Sequence, residues 1–211
     1  MRYQYILWDW NGTLLDDLSA SLEAVNMTLD VYGKKRIDLD EYKSYLDTPI
    51  YKFYEHLFDF EKTPMNDLSM YYRKFYDELE DTIKIADRAL QVLQKCKEKG
   101  IKQYIISASH TDDIEKYMKK LGVTDLFNRI SGSDDRKAGS KVERARLLIE
   151  EEKIPKEQCV MIGDSLHDLL TAQEIGVDVI LYSGGHQAKE ELLATGKTVC
   201  DDFLEIVNIL L

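Results

Sequence analysis

The sequence predicts an α/β protein in which a parallel sheet carries helices on both faces and a helical segment is inserted directly after the first strand. Three observations lead there. From Thr82 onward, apolar strand-like runs alternate with stretches of helical periodicity, which is the signature of successive βαβ units. Between Asp16 and about Glu80 only helical spacing occurs. Ahead of both lies the apolar run Tyr3, Tyr5, Ile6, Leu7, strand-like in composition and ending near Asp9.

In chain order, the first strand opens into Asn11-Gly12, a dipeptide suited to a tight turn because glycine accepts positive φ. Leu18, Leu22, Val25 and Leu29 recur at helical spacing, with Gly33 placed to end that helix. Further helices are expected over Leu39 to Leu46, after Pro49, and over Asp67 to Leu79, which makes a small bundle. Tyr71, Tyr72, Phe75 and Tyr76 on the last of these read as core, and His56 as a structural histidine. The expected elements then run helix Asp87 to Lys99, strand Ile101 to Ser107, helix Thr111 to Leu121 and strand Arg129 to Gly132. A helix opened by Ser140 and Glu143 in capping-box spacing follows, then strand Cys159 to Ile162, helix to Gly176, strand Val177 to Leu181, and helix to the end. This Rossmann-like arrangement divides the chain into a core, 1–15 with 82–211, and a helical insertion, 16–81.

Composition narrows the function. The 211 residues suffice for one domain with an insertion, and 28 Lys and Arg against 39 Asp and Glu give a formal charge of −11. That balance repels nucleic acid and anionic membrane surfaces. No apolar run approaches the roughly 18 to 20 residues of a membrane span, and no signal-peptide core precedes Asp9, so a cytoplasmic protein is expected. Cys96, Cys159 and Cys200 lack metal-like pairing and read as reduced thiols.

The chemistry concentrates at strand ends, where open α/β sheets bind their ligands. Asp9 ends the first strand. Val160-Met161-Ile162-Gly163-Asp164-Ser165-Leu166-His167-Asp168 is an apolar strand running into two carboxylates, at the same sheet edge. Hard oxygen ligands from Asp9 and Asp164 are what Mg²⁺ prefers. Tyr104-Ile105-Ile106-Ser107 is an apolar strand ending in a hydroxyl, and Lys141 opens a helix 23 residues before Asp164. Taken singly, Asp164 also suits a helix cap, Ser107 a turn, and Lys141 or its neighbour Lys137 a solvated position.

In order, these four stretches resemble the motifs of the haloacid dehalogenase superfamily, and the resemblance covers nearly the whole chain. It implies a Mg²⁺-dependent phosphatase similar to phosphoglycolate phosphatases, acting on a small phosphorylated metabolite, with the helical insertion as a mobile cap. It further implies Asp9 as a nucleophile that forms an aspartyl-phosphate. Mg²⁺ would be held by Asp9, the carbonyl of Asn11, Asp164 and Asp168. The phosphoryl group would meet Ser107, Ala108 and Lys141, with Lys137 the alternative lysine. One departure stands out: the superfamily's second Asp, its general acid, is here Asn11, which cannot transfer a proton. Relatives that act on carbon, the dehalogenases and phosphonatases, also lack that Asp, and Lys52 is the candidate Schiff-base lysine for the latter. A phosphate- or Mg²⁺-binding regulatory protein is the third reading. His110 is the nearest sequence candidate for a substitute acid. The bend containing Tyr45, Asp47, Thr48, Tyr51 and Lys52 beside Pro49 is expected to face the site and select the substrate, with Tyr51 and Lys52 as contacts.

Overall fold

The computed structural model describes residues 2–47, 49–133 and 140–211; Thr48 and Lys137 lie outside them. Six strands form one parallel sheet in the order β5-β4-β1-β6-β7-β8. They are β1 (Tyr5–Trp8), β4 (Lys102–His110), β5 (Arg129–Ser133), β6 (Cys159–Gly163), β7 (Asp178–Tyr182) and β8 (Thr198–Cys200). The first strand in sequence is thus central in space, paired on one side with β4 (Leu7 opposite Tyr104) and on the other with β6 (Leu7 opposite Met161).

The two-residue period of β1 explains the three layers. Ile6 and Trp8 pack on one face against α5 (Ala89–Glu98), α6 (Thr111–Leu121) and α10 (Phe203–Leu210), through Val92, Leu93, Ile114, Met118, Phe203 and Ile206. Leu7 points the other way, into Leu148, Ile149, Ala172 and Ile175 of α7 (Lys141–Glu151) and α8 (Leu166–Ile175). Both faces being covered, the central strands are apolar throughout rather than alternating.

Between the first and second sheet strands the chain makes α1 (Leu18–Val31), α2 (Leu39–Tyr45), α3 (Tyr51–Glu55) and α4 (Met65–Glu78). These helices close around their own apolar cluster, which includes Val25, Leu29, Tyr42, Phe53, Phe58 and Leu68. Two short strands bracket them, β2 (Leu15–Asp16) and β3 (Lys84–Ile85), antiparallel with Asp16 opposite Lys84. The sequence reading contained neither, because two residues carry no periodicity. It also ran helix through to the end where the structure inserts α9 (Lys189–Ala194) and then edge strand β8. β4 runs three residues beyond the expected Ser107, and its register against β5 shifts between Ile106 and His110. Such an irregularity re-aims side chains where a strand leaves its sheet. Here it falls on the stretch Ser107 to Ser109.

Candidate active site

Asp9 leaves the end of β1 with its N–H donating to the carbonyl of Ile162 at 2.8 Å, which places it level with the end of β6, where Asp164 emerges. α8 starts at once, with Ser165 as its cap. The Ser165 hydroxyl accepts from the N–H of Asp168, and the Asp168 carboxylate accepts from the N–H of Ser165. That reciprocal cap turns Asp168 back toward the strand ends. As a result, Asp9, Asp164 and Asp168 each offer a carboxylate oxygen within 4.8 Å of the others, all three side chains being buried. Gly163 permits this closeness: a Cβ there would collide with the Asp168 carboxylate.

Lys141 closes the cluster from α7. Ser140 and Glu143 form the expected capping box, so the helix begins where the Lys141 ammonium reaches both Asp9 and Asp168, the latter at 2.5 Å. With all three ionised, the carboxylates against one ammonium carry a formal excess of two negative charges at a buried site. The carboxyls respond to that excess. Burial raises Asp9 to about 8 against the opposing pull of Lys141, and burial likewise raises Asp164. Burial works against ionisation of Asp168 too, but the charge and hydrogen bond of Lys141 outweigh it and hold that carboxyl low. All-oxygen donors with an uncompensated charge of two suit a hard divalent cation, so Mg²⁺ fits this donor set. Thr13 sits between the acids, its hydroxyl 3.2 Å from Asp9 and 3.1 Å from Asp164.

A cavity of about 550 Å³ opens over these residues toward α2 and α4. Asp9, Asn11, Ser107, Ala108, Lys141 and Asp164 all line it. Ser107 is buried in β4, and its hydroxyl accepts from the N–H of Ser109 at 3.0 Å. From the bend before α3, Leu46, Asp47, Pro49 and Ile50 reach the wall, whereas Tyr51 and Lys52 do not. Tyr51 is exposed, and Lys52 pairs with Asp47 at 3.1 Å. The register of the bend thus differs by one or two residues from the expected contacts. His110 is absent from the wall as well; it caps α6, accepting from the N–H of Asp112.

What the sequence did not reveal is a second charged pair beside Asn11. Asp17 is buried and accepts from the Asn11 amide (2.7 Å), the Gly12 N–H (2.7 Å) and the Tyr76 hydroxyl (2.8 Å), and lies 3.2 Å from Nε2 of His186. The other ring nitrogen of His186 bonds the Tyr42 hydroxyl at 3.0 Å, and its backbone N–H donates to Asp164 at 2.6 Å. Burial disfavours the imidazolium, yet Asp17 overcomes this and lifts His186 to about 9, while Asp17 itself is held below the usual carboxylate range. On its far side, the side-chain Oδ1 of Asn11 accepts from the Ser109 hydroxyl at 2.5 Å. Gly12, at φ +72, lets the turn pass under this pair; a Cβ there would strike Asp164 and the His186 ring. One signal could have found His186: it follows β7, at the same sheet edge as the other strand-end residues. Tyr72 and Tyr76, read as plain core, also face the cavity.

Asp17→Asn strips the His186 cation and the Gly12 N–H of their charged partner. We expect a loss of about 3–5 kcal/mol in urea unfolding, as for other broken buried pairs. A change below about 1 kcal/mol would mean the pair carries no structural weight.

Comparison with known proteins agrees with the geometry. Residues 6–182 match the model of the haloacid dehalogenase-like hydrolase family. The chain belongs to that family. A relative from Pseudomonas aeruginosa named 5'-nucleotidase is 26% identical over 100% of this chain and 96% of its own. A phosphoglycolate phosphatase from Psychrobacter arcticus is 25% identical over 100% and 97%. A haloacid dehalogenase-like family protein from Streptococcus pneumoniae has the same fold at a TM-score of 0.88, with 19% identity, covering 100% of this chain and 99% of that one.

Proposed function

We propose that this hydrolase is a Mg²⁺-dependent phosphatase of small phosphate monoesters that works through an aspartyl-phosphate on Asp9. The observation that carries the reading is the cluster of Asp9, Asp164 and Asp168 around Lys141, formally two negative charges in excess, of which Asp9, Asp164 and Lys141 line the cavity. Asp9, Asp164, Asp168 and the Asn11 carbonyl would hold the cation, which when bound would screen the carboxylates and a phosphate dianion from each other. Asp9 attacks phosphorus, the ester oxygen leaves, and water then releases phosphate and restores the carboxylate. Ser107, the amide of Ala108 and Lys141 bind the equatorial oxygens, where most of the catalysis in phosphoryl transfer resides.

Asn11 shapes this chemistry. Its amide nitrogen already donates to Asp17, so the leaving oxygen receives no proton from position 11. Leaving groups that are stable as anions are therefore favoured. In this reading residues 16–81 form a cap that supplies selectivity, with Leu46, Asp47, Pro49 and Ile50 as its contacts. Lys52, which a phosphonatase-like reading would need, does not line the cavity and is paired with Asp47, and that counts against the alternative.

The test is phosphate release from a panel of monoesters with and without Mg²⁺, beside calorimetry of Mg²⁺ binding. Release should require the metal, and Asp164→Ala should lose most of the Mg²⁺ affinity. Metal-independent release, or unchanged binding in Asp164→Ala, would remove the assignment.

A further inference from the structure

The wall of the cavity beyond the carboxylates is built from rings and aliphatic side chains, namely Tyr42, Ile50, Tyr72, Tyr76, Ile114 and Tyr117. Three of the four tyrosine hydroxyls are committed to the protein itself: Tyr42 to His186, Tyr72 to Ser21 and Tyr76 to Asp17. Tyr72 and Tyr76 donate their protons in those bonds and offer a ligand ring surface only, while the Tyr42 hydroxyl accepts from the His186 cation. Tyr117 differs, being 5% exposed with a buried hydroxyl that has no partner among the described residues.

Charge in the wall is equally committed. Among the described residues its cations are Arg73, Lys116, Lys141 and His186. Arg73 is forked on Asp113 at 2.5 and 2.7 Å and also meets Asp77 at 2.9 Å. Lys116 pairs with Glu80, Lys141 with Asp9 and Asp168, and His186 with Asp17. A second anionic group on a substrate would meet cations already neutralised, with Asp17, Asp77 and Asp113 beside them. The volume points the same way. About 550 Å³ is within the range of sites that enclose a ligand of many atoms, far more room than a two-carbon acid occupies.

We infer that this cavity recognises the uncharged, ring-bearing leaving group of a phosphate monoester, the class of an aryl or nucleoside monophosphate, and disfavours substrates with a second anion. The inference rests on the phosphatase reading for the chemistry at Asp9, and adds to it what the rest of the substrate is. Ring faces of Tyr42, Tyr72 and Tyr76 would pack against the ring of the ligand, and the Tyr117 hydroxyl would take up a polar atom on it.

Four substrates decide it, compared by kcat/KM in Mg²⁺: phenyl phosphate, a nucleoside 5'-monophosphate, phosphoglycolate and pyrophosphate. Compared within pairs of like leaving group, the nucleoside monophosphate should exceed phosphoglycolate, both being alkyl phosphates, and phenyl phosphate should exceed pyrophosphate, both releasing stabilised anions, by about 10²-fold or more, the range of a rejected charge. Tyr117→Phe should lower kcat/KM for the nucleoside monophosphate about tenfold while changing phenyl phosphate little, the size of one hydrogen bond. Binding of the same four compounds to Asp9→Asn, measured by calorimetry, gives a readout independent of turnover and should rank them in the same order. Mg²⁺-dependent hydrolysis in which phosphoglycolate is preferred to the nucleoside monophosphate, or pyrophosphate to phenyl phosphate, would overturn the inference and leave the phosphatase reading standing. No turnover with ring esters still bound preferentially would uphold the recognition and overturn the reaction. No binding of any ring ester would overturn the inference outright.

Discussion

With Asp9 replaced by Asn, phosphate release is expected to fall by about 10⁶-fold, the scale seen when a catalytic nucleophile is removed. An amide nitrogen does not attack phosphorus, and neither Asp164 nor Asp168 can take over. Asp164 is fixed by Thr13 and the N–H of His186, and Asp168 by Lys141 and the cap of α8. The same substitution should not cost the fold. Burial already raises the Asp9 carboxyl to about 8, and an amide there carries no charge to bury, so without Mg²⁺ the urea midpoint of Asp9→Asn should equal or exceed that of the natural protein. Steady-state release and unfolding, measured on one preparation, check both halves. A rate within tenfold of the natural protein would show that Asp9 is not the nucleophile.

The second large effect concerns the proton missing at position 11. Because the Asn11 amide donates to the Asp17 carboxylate at 2.7 Å, Asn11→Asp with Asp17→Asn keeps an amide facing a carboxylate and moves the ionisable group beside the leaving oxygen; it also carries the stability loss expected of Asp17→Asn, so rates are compared on protein shown to be folded. General acid catalysis is typically worth about 10²- to 10⁴-fold, and that factor should appear selectively on alkyl phosphates, whose alkoxides need a proton. Aryl phosphates should gain little. A plot of log rate against leaving-group pKa should be steep for the natural protein and flatter for the exchanged one. Asn11→Asp alone is a harsher test, since it sets two carboxylates in contact and forces them to share a proton. Equal slopes in the natural and exchanged proteins would mean that another group already acts as the acid. Asn11-Gly12 is prone to deamidation, so intact mass must accompany each rate.

Much of this was legible because it is local. The capping box of Ser140 and Glu143 is written within four residues, and it alone predicts where Lys141 begins its helix. Asp9 and Asp164 could be paired because each follows an apolar strand, and parallel sheets collect strand ends at one edge. β2 and β3 were not legible, since each is two residues long and exists only by pairing with the other. The Asp17–His186 pair joins residues 169 apart, and nothing near either of them names its partner. The bend before α3 shows an intermediate case. Its approach to the cavity followed from Pro49, but which side chains turn inward depends on a register that packing of Phe53 and Tyr54 into the helical cluster decides, leaving Ile50 at the wall and Tyr51 outside.

The central claim is that Asp9 becomes covalently phosphorylated, and one measurement addresses it without reference to rate. The natural protein is mixed with phenyl phosphate and Mg²⁺, quenched in acid within the first turnover, and its intact mass and peptide map recorded beside those of Asp9→Asn. The account predicts a mass increment of one phosphoryl group, localised to the peptide containing Asp9 and absent from the variant. An increment retained in Asp9→Asn, or hydrolysis of phenyl phosphate with no phosphorylated protein at any quench time, would contradict it.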